Sequence, residues 1–495
     1  MKNYKNNHLF REASHAKGLF QTRRHFMRDC ALGLGGLTMG TLMGSCSNAG
    51  SLIADEVGDL LSNPHFTGQA KSVIYLHMAG APSQLELFDF KPELQKLHGQ
   101  DCPPSFLEGK KFAFIRGVPK MLGPQAKFMQ HGESGAWISN YLPHLSELAD
   151  DIGFLKGVTT DQFNHAPAQL LMHTGSPRLG RPSMGSWVTY GLGSENANLP
   201  AFVVLNSGGA NPSAGKSVWG SGFLPSMYQG VQCRSKGDPI LYLENPEGVS
   251  RDIRRAAINT INQVNESQYE AIGDPETISR IQQYEMAFKM QISVPEVMDI
   301  SQEPDHIHEM YGTEPGRESF ANNALLARRL VENGVRFVQL FDWGWDSHGT
   351  DPSTALDIGL LTKCQQTDKP IAALLKDLKQ RGLLDQTLVV WGGEFGRTPM
   401  AENREGINNR YLGRDHHVEA FTMWMAGGGI KGGVTHGVTD EIGYSTISGR
   451  VSAFDIQATI LHQLGFDHEK FTYPFQGRPF RLTDVEGEVI HELMA

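Results

Sequence analysis

Apolar residues along this chain gather into short runs closed by turn residues, with longer stretches of helical spacing between them. Ser72-Val73-Ile74-Tyr75-Leu76-His77-Met78 ends in Ala79-Gly80-Ala81-Pro82, and Phe202 to Leu205, Val335 to Phe341 and Thr387 to Trp391 are bounded in the same way. Short apolar runs without alternating polar positions are the pattern of strands buried on both faces. Helical spacing predicts helices over Phe320 to Glu332 and Ile371 to Gln380. Strands alternating with helices specify an α/β chain whose mostly parallel sheet is covered on both sides. In such sheets ligand groups collect just beyond the carboxyl ends of the strands. The texture changes between about residues 245 and 310, where Gly248 to Asn265 and Pro275 to Gln291 are polar and helix-forming; this predicts a helical insertion rather than an independent domain.

Composition narrows the function classes. At 495 residues and 40% hydrophobic, the chain can bury a large core, as one big domain with insertions or as two domains. The net charge of −10 opposes nucleic-acid binding, because a phosphate-binding face is built from clustered Lys and Arg, and no such cluster occurs outside the N-terminus. Of the 5 cysteines only Cys102, Cys233 and Cys364 lie beyond residue 46, without metal-finger spacing, so a disulfide scaffold is not expected.

The N-terminus is an address. Arg23-Arg24 followed by His25-Phe26-Met27 has the twin arginines of a Tat export signal, and a Gly-interrupted apolar stretch follows from Cys30 to Ser45. That stretch is too short and too interrupted to span a membrane. Met43-Gly44-Ser45-Cys46 resembles a lipoprotein cleavage box. Residues 1–46 are therefore expected to be a Tat signal peptide engaging the Tat translocase, with Cys46 either the lipid-anchored first residue or discarded. Residues 47–70 form a polar tether, and 71–495 the folded domain with its insertion at about 245–310. The expected location is the periplasm, free or membrane-anchored.

Chemistry collects at the predicted strand ends. The Val335 run delivers Asp342, Asp346 and His348, the Thr387 run delivers Glu394 and Arg397, and a third loop carries Arg414-Asp415-His416-His417 ahead of another apolar run. Carboxylate and imidazole from several loops are what a divalent metal site is made of, the oxygens supplying charge and the nitrogens direction. Asn164-His165-Ala166-Pro167 opens a helix whose N-terminus favours an anion, although capping alone would explain the same residues.

Several longer stretches, "HMAGAPSQLELFDFKPEL", "NHAPAQLLMHTGSPRLGRPSMGSWVTYGLGSENANLPAFVVL", "GGEFGRTP", "GRDHH" and "AGGGIKGGVTHGVTDEIGY", resemble a Tat-exported bacterial family of unknown function placed in the alkaline phosphatase and sulfatase superfamily. The resemblance runs from about residue 70 to the end. It implies a three-layer α/β/α alkaline-phosphatase-like core with a metal site at the strand ends. His165-Ala166-Pro167 to Thr174-Gly175 keeps the length, proline and Thr-Gly end of the sulfatase signature but lacks its cysteine, serine and arginine. A formylglycine mechanism is excluded, so attack is expected from His165 or from a water activated by the metal.

The same resemblance implies Glu86, Asp89, Asp346, His348, Glu394 and His416 as metal ligands, with His165 catalytic and Asn164, Arg397 and Arg414 on the substrate. The cofactor is a divalent metal, Zn, Ca, Mg or Mn. Gln84 replaces a histidine usual in the family, and Ala453 and Gln457 fall where related sequences carry histidine. Two functions follow. One is an exported metal-dependent hydrolase of sulfate or phosphate esters, small-molecule or glycan. The other is a non-catalytic exported glycan- or surface-binding protein, in which Trp187, Trp343 and Trp345 would suit sugar stacking as readily as packing.

Overall fold

In the computed structural model, which describes residues 64–240, 244–404, 407 and 409–495, the first strand shows why the apolar runs lack alternation. Every residue of β1 (Ser72–Ala79) is buried. Its Ile74, Leu76 and Met78 belong to one apolar cluster and its Val73 and Tyr75 to another on the opposite face. Because successive side chains of a strand point to opposite faces, a sheet covered on both sides needs an apolar residue at every position. The expected signal peptide, Cys46 and all but the end of the tether lie outside the described residues.

The other strands of the main sheet are β2 (Ile152–Val158), β3 (Phe202–Ser207), β4 (Val231–Cys233), β5 (Phe337–Trp343), β6 (Thr387–Gly392), β7 (Phe421–Ala426) and β8 (Thr435–His436). Their lateral order is β8-β2-β7-β6-β1-β5-β3-β4. β1 lies parallel between β5 and β6, with His77 opposite both Phe341 and Gly392, and β3 runs parallel to β4 and β5. β7 alone is antiparallel to its neighbours, β2 and β6.

The main helices are α1 (His165–Thr174), α2 (Met184–Leu192), α3 (Arg251–Ile272), α4 (Pro275–Met298), α5 (Phe320–Glu332), α6 (Leu361–Gln380) and α7 (Ala453–Gln463). Leu325 and Leu326 of α5 and Leu374, Leu375 and Leu378 of α6 join the Ile74 cluster. Leu170 and Leu171 of α1, Val188 of α2, and Ile456 and Ile460 of α7 join the Tyr75 cluster. The fold is thus a mixed α/β core of three layers around a large, mostly parallel sheet. α3 and α4 fall within the segment expected to be a helical insertion, and α4 ties it to the core through Met290, Val294 and Val297. The three cysteines beyond the tether are free and buried. Trp187 and Trp345 are buried core residues, each 1% exposed, so neither is available to stack on a sugar.

Candidate metal centre

The carboxyl ends of β1, β5 and β6 open on one edge of the sheet, and β7 begins there because it runs against its neighbours. The chain entering β7 therefore brings His416 to the edge where β5 delivers Asp346 and His348. A short ribbon, Gly396–Arg397 against His416–His417, sets His416 opposite Arg397. β2 ends beside the start of β7, with Val158 paired to Phe421, so the loop into α1 carries His165 to the same place.

His165, Asp346, His348 and His416 converge there, each offering one ligand atom, all within 4.8 Å of one another. The Nε2 atoms of His165, His348 and His416 stand 3.4, 2.9 and 3.4 Å from the Asp346 carboxylate. The far nitrogen of every ring is occupied. His165 Nδ1 donates to Glu394 Oε1 at 2.7 Å, His416 Nδ1 to the Phe163 carbonyl at 2.7 Å, and His348 Nδ1 to Glu402. A carbonyl or ionised carboxylate can only accept, so these partners fix a proton on each Nδ1 and point each Nε2 inward. A carboxylate or carbonyl behind an imidazole is the arrangement that orients histidine ligands on metals.

Asp346 gathers Arg397 as well as the three imidazoles, and His165 Nε2 is buried without a hydrogen-bond partner. Burial disfavours charge on His165, but Asp346 and Glu394 outweigh it and raise its pKa to about 9. Burial, with Arg397 and the neighbouring histidines, lowers His416 to about 4. Burial acts against the Asp346 charge too, yet Arg397 and the three histidines hold its carboxyl far below the usual range. Ligands about 2.0–2.2 Å from one ion sit roughly 3.3 Å apart, so closing the cluster on a zinc-sized ion needs shifts of about 1.5 Å or less. The Asp346 side chain remains 29% exposed, so the cluster is open to solvent.

The other residues expected at the site are placed differently. Glu394, wholly buried, accepts at Oε1 from Gly80 N at 3.1 Å and Gln169 Nε2 at 3.0 Å besides His165, which makes it the support behind a ligand. Glu86 meets Arg414 in an ion pair buried on both sides, Nη2 to Oε1 at 2.7 Å, and also accepts from Ser83. Asp89 accepts from Thr439 Oγ1 at 2.5 Å and faces Lys91 at 3.3 Å. Glu86, Asp89 and Glu394 therefore stand outside the converging set. Arg397 donates to the Gly80, Ala81 and Arg414 carbonyls besides Asp346. Both arginines are fully buried and spend their donors inside the protein. Asn164 is exposed at the N-cap of α1, where its side chain makes no capping bond.

Two glycines hold the loops together. Gly80 adopts φ +112°, and a Cβ there would lie 2.6 Å from Asp346 N; one at Gly413 would lie 2.0 Å from His348 C. Any side chain at either position would push a ligand loop away. Asp342, the first acid of the Trp-flanked turn, is structural: it accepts from Ser207 Oγ at 2.8 Å and Trp345 Nε1 at 2.9 Å and pairs with Lys363 at 2.6 Å. It also lines a cavity of about 630 Å³ with Gly208, Lys363 and Lys369. Gly208 packs against the Trp343 backbone, and the Trp343 ring stands 6.2 Å from that of His165.

Sequence reasoning missed Glu402, which sits in an irregular loop without a motif, and the buried pair His77 and His173. His77, on β1, stands 3.2 Å from Glu394 Oε2, and its Nδ1 lies 3.2 Å from His173 Nε2. A histidine within an apolar run that ends in Gly80 was the available signal.

The chain belongs to the family described as "Protein of unknown function (DUF1501)", which matches residues 70–494. No curated protein sequence matches the chain. Among solved structures it is similar to the PsFucS1 sulfatase from Pseudoalteromonas sp., at 11% identity over 84% of this chain and 70% of that one, with a TM-score of 0.35. It is also similar to the phosphonate monoester hydrolase SpPMH from Silicibacter pomeroyi, at 14% identity over 69% and 72% with a TM-score of 0.31. An alkaline phosphatase from the Antarctic bacterium TAB5 matches at 12% identity over 73% and 92%, with a TM-score of 0.28.

Proposed function

We propose that this protein is a hydrolase of sulfuric or phosphoric esters that holds a divalent cation on His165, His348, His416 and Asp346. The observation that carries the reading is the shared orientation of the three imidazoles, each giving its Nδ1 proton to a fixed acceptor and turning Nε2 to one point. Three nitrogens and one oxygen suit Zn²⁺ or a similar transition metal, because Ca²⁺ and Mg²⁺ select shells made mainly of oxygen. When bound, the cation supplies positive charge that polarises the ester and stabilises charge developing on its oxygens. The protein's own groups hold the geometry. Arg397 fixes Asp346, Glu394 and Glu402 fix two rings, and the Phe163 carbonyl fixes the third. As a ligand, His165 is not free to attack, so the ester class rests on the motif resemblance at His165 to Gly175, and the nucleophile is water.

One observation favours a second reading. With both arginines committed inside the protein, no guanidinium among those expected at the site is free to clamp a sulfate or phosphate. A non-catalytic exported protein that keeps the cation and recognises a glycan or surface partner would have the same cluster. Zinc-loaded protein assayed on aryl sulfate and aryl phosphate esters separates the two. Turnover lost in His348→Ala supports the hydrolase. No turnover on either ester, with glycan binding intact, supports the second reading. Failure to bind any divalent ion removes both as stated.

Export belongs to the same proposal: residues 1–46 direct Tat translocation to the periplasm, with Cys46 as the lipid anchor. Replacing Arg23 and Arg24 by Lys and following where the protein accumulates tests the address. Metabolic labelling with palmitate in Cys46→Ala tests the anchor.

A further inference from the structure

Beneath the cluster lies a second set of imidazoles that the proposed chemistry does not use. His77 on β1 is fully buried and His173 on α1 is 1% exposed. They join end to end with Gln339 of β5: Gln339 Nε2 lies 3.1 Å from His173 Nδ1, His173 Nε2 3.2 Å from His77 Nδ1, and His77 Nε2 3.2 Å from Glu394 Oε2. The last contact is off the line of a full hydrogen bond, and neither atom has another partner. Glu394 then passes to His165 Nδ1 at 2.7 Å. Contacts of 3.2 Å or less thus link the middle of the sheet to the ring that faces the cation.

Its direction is set at the far end. Gln339 Nε2 also donates to the Val218 carbonyl at 3.2 Å. A flipped amide would set oxygen against oxygen there, so the nitrogen faces Val218 and its second hydrogen faces His173 Nδ1. That nitrogen must accept, and a neutral His173 carries its proton on Nε2 and donates to His77 Nδ1. By the same step His77 is protonated on Nε2, facing Glu394 Oε2. The carboxylate, with His77 Nε2–H facing Oε2 and donors on Oε1, in turn accepts the hydrogen bond of His165 Nδ1.

Resting on the cation-binding reading above, we infer that Gln339, His173 and His77 are positioning residues that fix His165 in the tautomer whose Nε2 lone pair faces the metal. They touch neither cation nor substrate. They act by holding Glu394 aimed, so that His165 keeps one ring orientation and its Nδ1 proton when the ion arrives. Removing a partner behind a histidine ligand typically weakens metal affinity about 10–100-fold.

Two measurements test this. Long-range ¹H–¹⁵N spectra of histidine-labelled protein report the tautomers directly, and His77 and His173 should both be neutral with the proton on Nε2, with or without Zn²⁺. In the Zn²⁺-loaded protein His165 should carry its proton on Nδ1. Calorimetric Zn²⁺ titration then compares wild type with His77→Phe, which removes the donor, and His77→Gln, whose amide nitrogen can replace Nε2. The expected result is a loss of about 10–100-fold in affinity for His77→Phe, largely restored in His77→Gln. A Nδ1-protonated or charged His77 or His173 in the wild type overturns the inference, as does equal Zn²⁺ affinity in all three proteins. If His77→Phe does not fold, the wild-type spectra still decide. The spectra without metal judge the relay even if Zn²⁺ fails to bind wild type, a failure that would instead refute the cation site.

Discussion

Replacing Glu86 by Gln separates a ligand from a structural ion. Glu86 and Arg414 are both fully buried, and Arg414 uses Nε and Nη2 on the carboxylate while Nη1 and Nη2 also reach the Thr398 and Gly123 carbonyls at 3.1 and 3.2 Å. An arginine cannot shed its proton in a protein, so Glu86→Gln strands a full charge among neutral dipoles. Breaking such a pair from one side costs about 3–5 kcal/mol. Spread over the roughly 425 residues of the folded family region, with about 2.1 cal/mol/K of unfolding entropy per residue, this lowers Tm by about 3–6 °C. Scanning calorimetry should show that drop, while Zn²⁺ affinity stays at the wild-type value. The double variant Glu86→Leu/Arg414→Met should recover most of the lost stability, because no unpaired charge remains. An unchanged Tm in Glu86→Gln, or Zn²⁺ affinity falling as for a lost ligand, would refute the assignment and return Glu86 to the metal.

Zn²⁺ binding should be pH-dependent with a defined sign. His165, raised to about 9, is protonated at pH 7 in the metal-free protein, and His416, lowered to about 4, is already neutral. Binding at pH 7 then releases about one proton from His165, and affinity rises about tenfold per pH unit until roughly pH 9; calorimetry in buffers of different ionisation enthalpy counts the proton. The raised pKa also means that metal-free protein is stabilised by His165 fully below its ordinary pKa of about 6.5 and loses that contribution as pH climbs through about 9, which urea midpoints at pH 6 and pH 9 will report. Glu402→Gln should weaken Zn²⁺ binding about 10–100-fold by releasing His348, measured by competition with a chelating dye. Gly80→Ala forces a Cβ to within 2.6 Å of Asp346 N at a φ of +112°, and should cost at least about 1–3 kcal/mol of stability together with Zn²⁺ affinity.

The architecture was legible because burial on both faces of a sheet leaves a local trace. The runs beginning at Ser72, Phe202, Val335 and Thr387 each contain a strand of the sheet, and Phe320 to Glu332 is a helix over its whole predicted length. β2 was not anticipated, since Gly153, Lys156 and Gly157 interrupt its apolar pattern. At the candidate centre, Asp346, His348 and His416, read from strand ends and the loop before an apolar run, stand close together. What sequence could not convey is which buried acids are answered by which cations. Glu86 and Arg414 lie 328 positions apart and meet each other, and Glu394 faces His165 instead of open space because α1 crosses behind it. Likewise Glu402 supports His348 from a loop whose sequence has no motif. Such pairings depend on three-dimensional closure, and no local spacing encodes them.

X-ray absorption at the zinc edge of the Zn²⁺-loaded protein reads the coordination shell itself. One tightly bound ion is expected, with about three imidazole nitrogens and one carboxylate oxygen near 2.0–2.2 Å, and with one imidazole lost in each of His165→Ala, His348→Ala and His416→Ala. No stoichiometric binding, or a shell made of oxygens alone and unchanged in those variants, would contradict it.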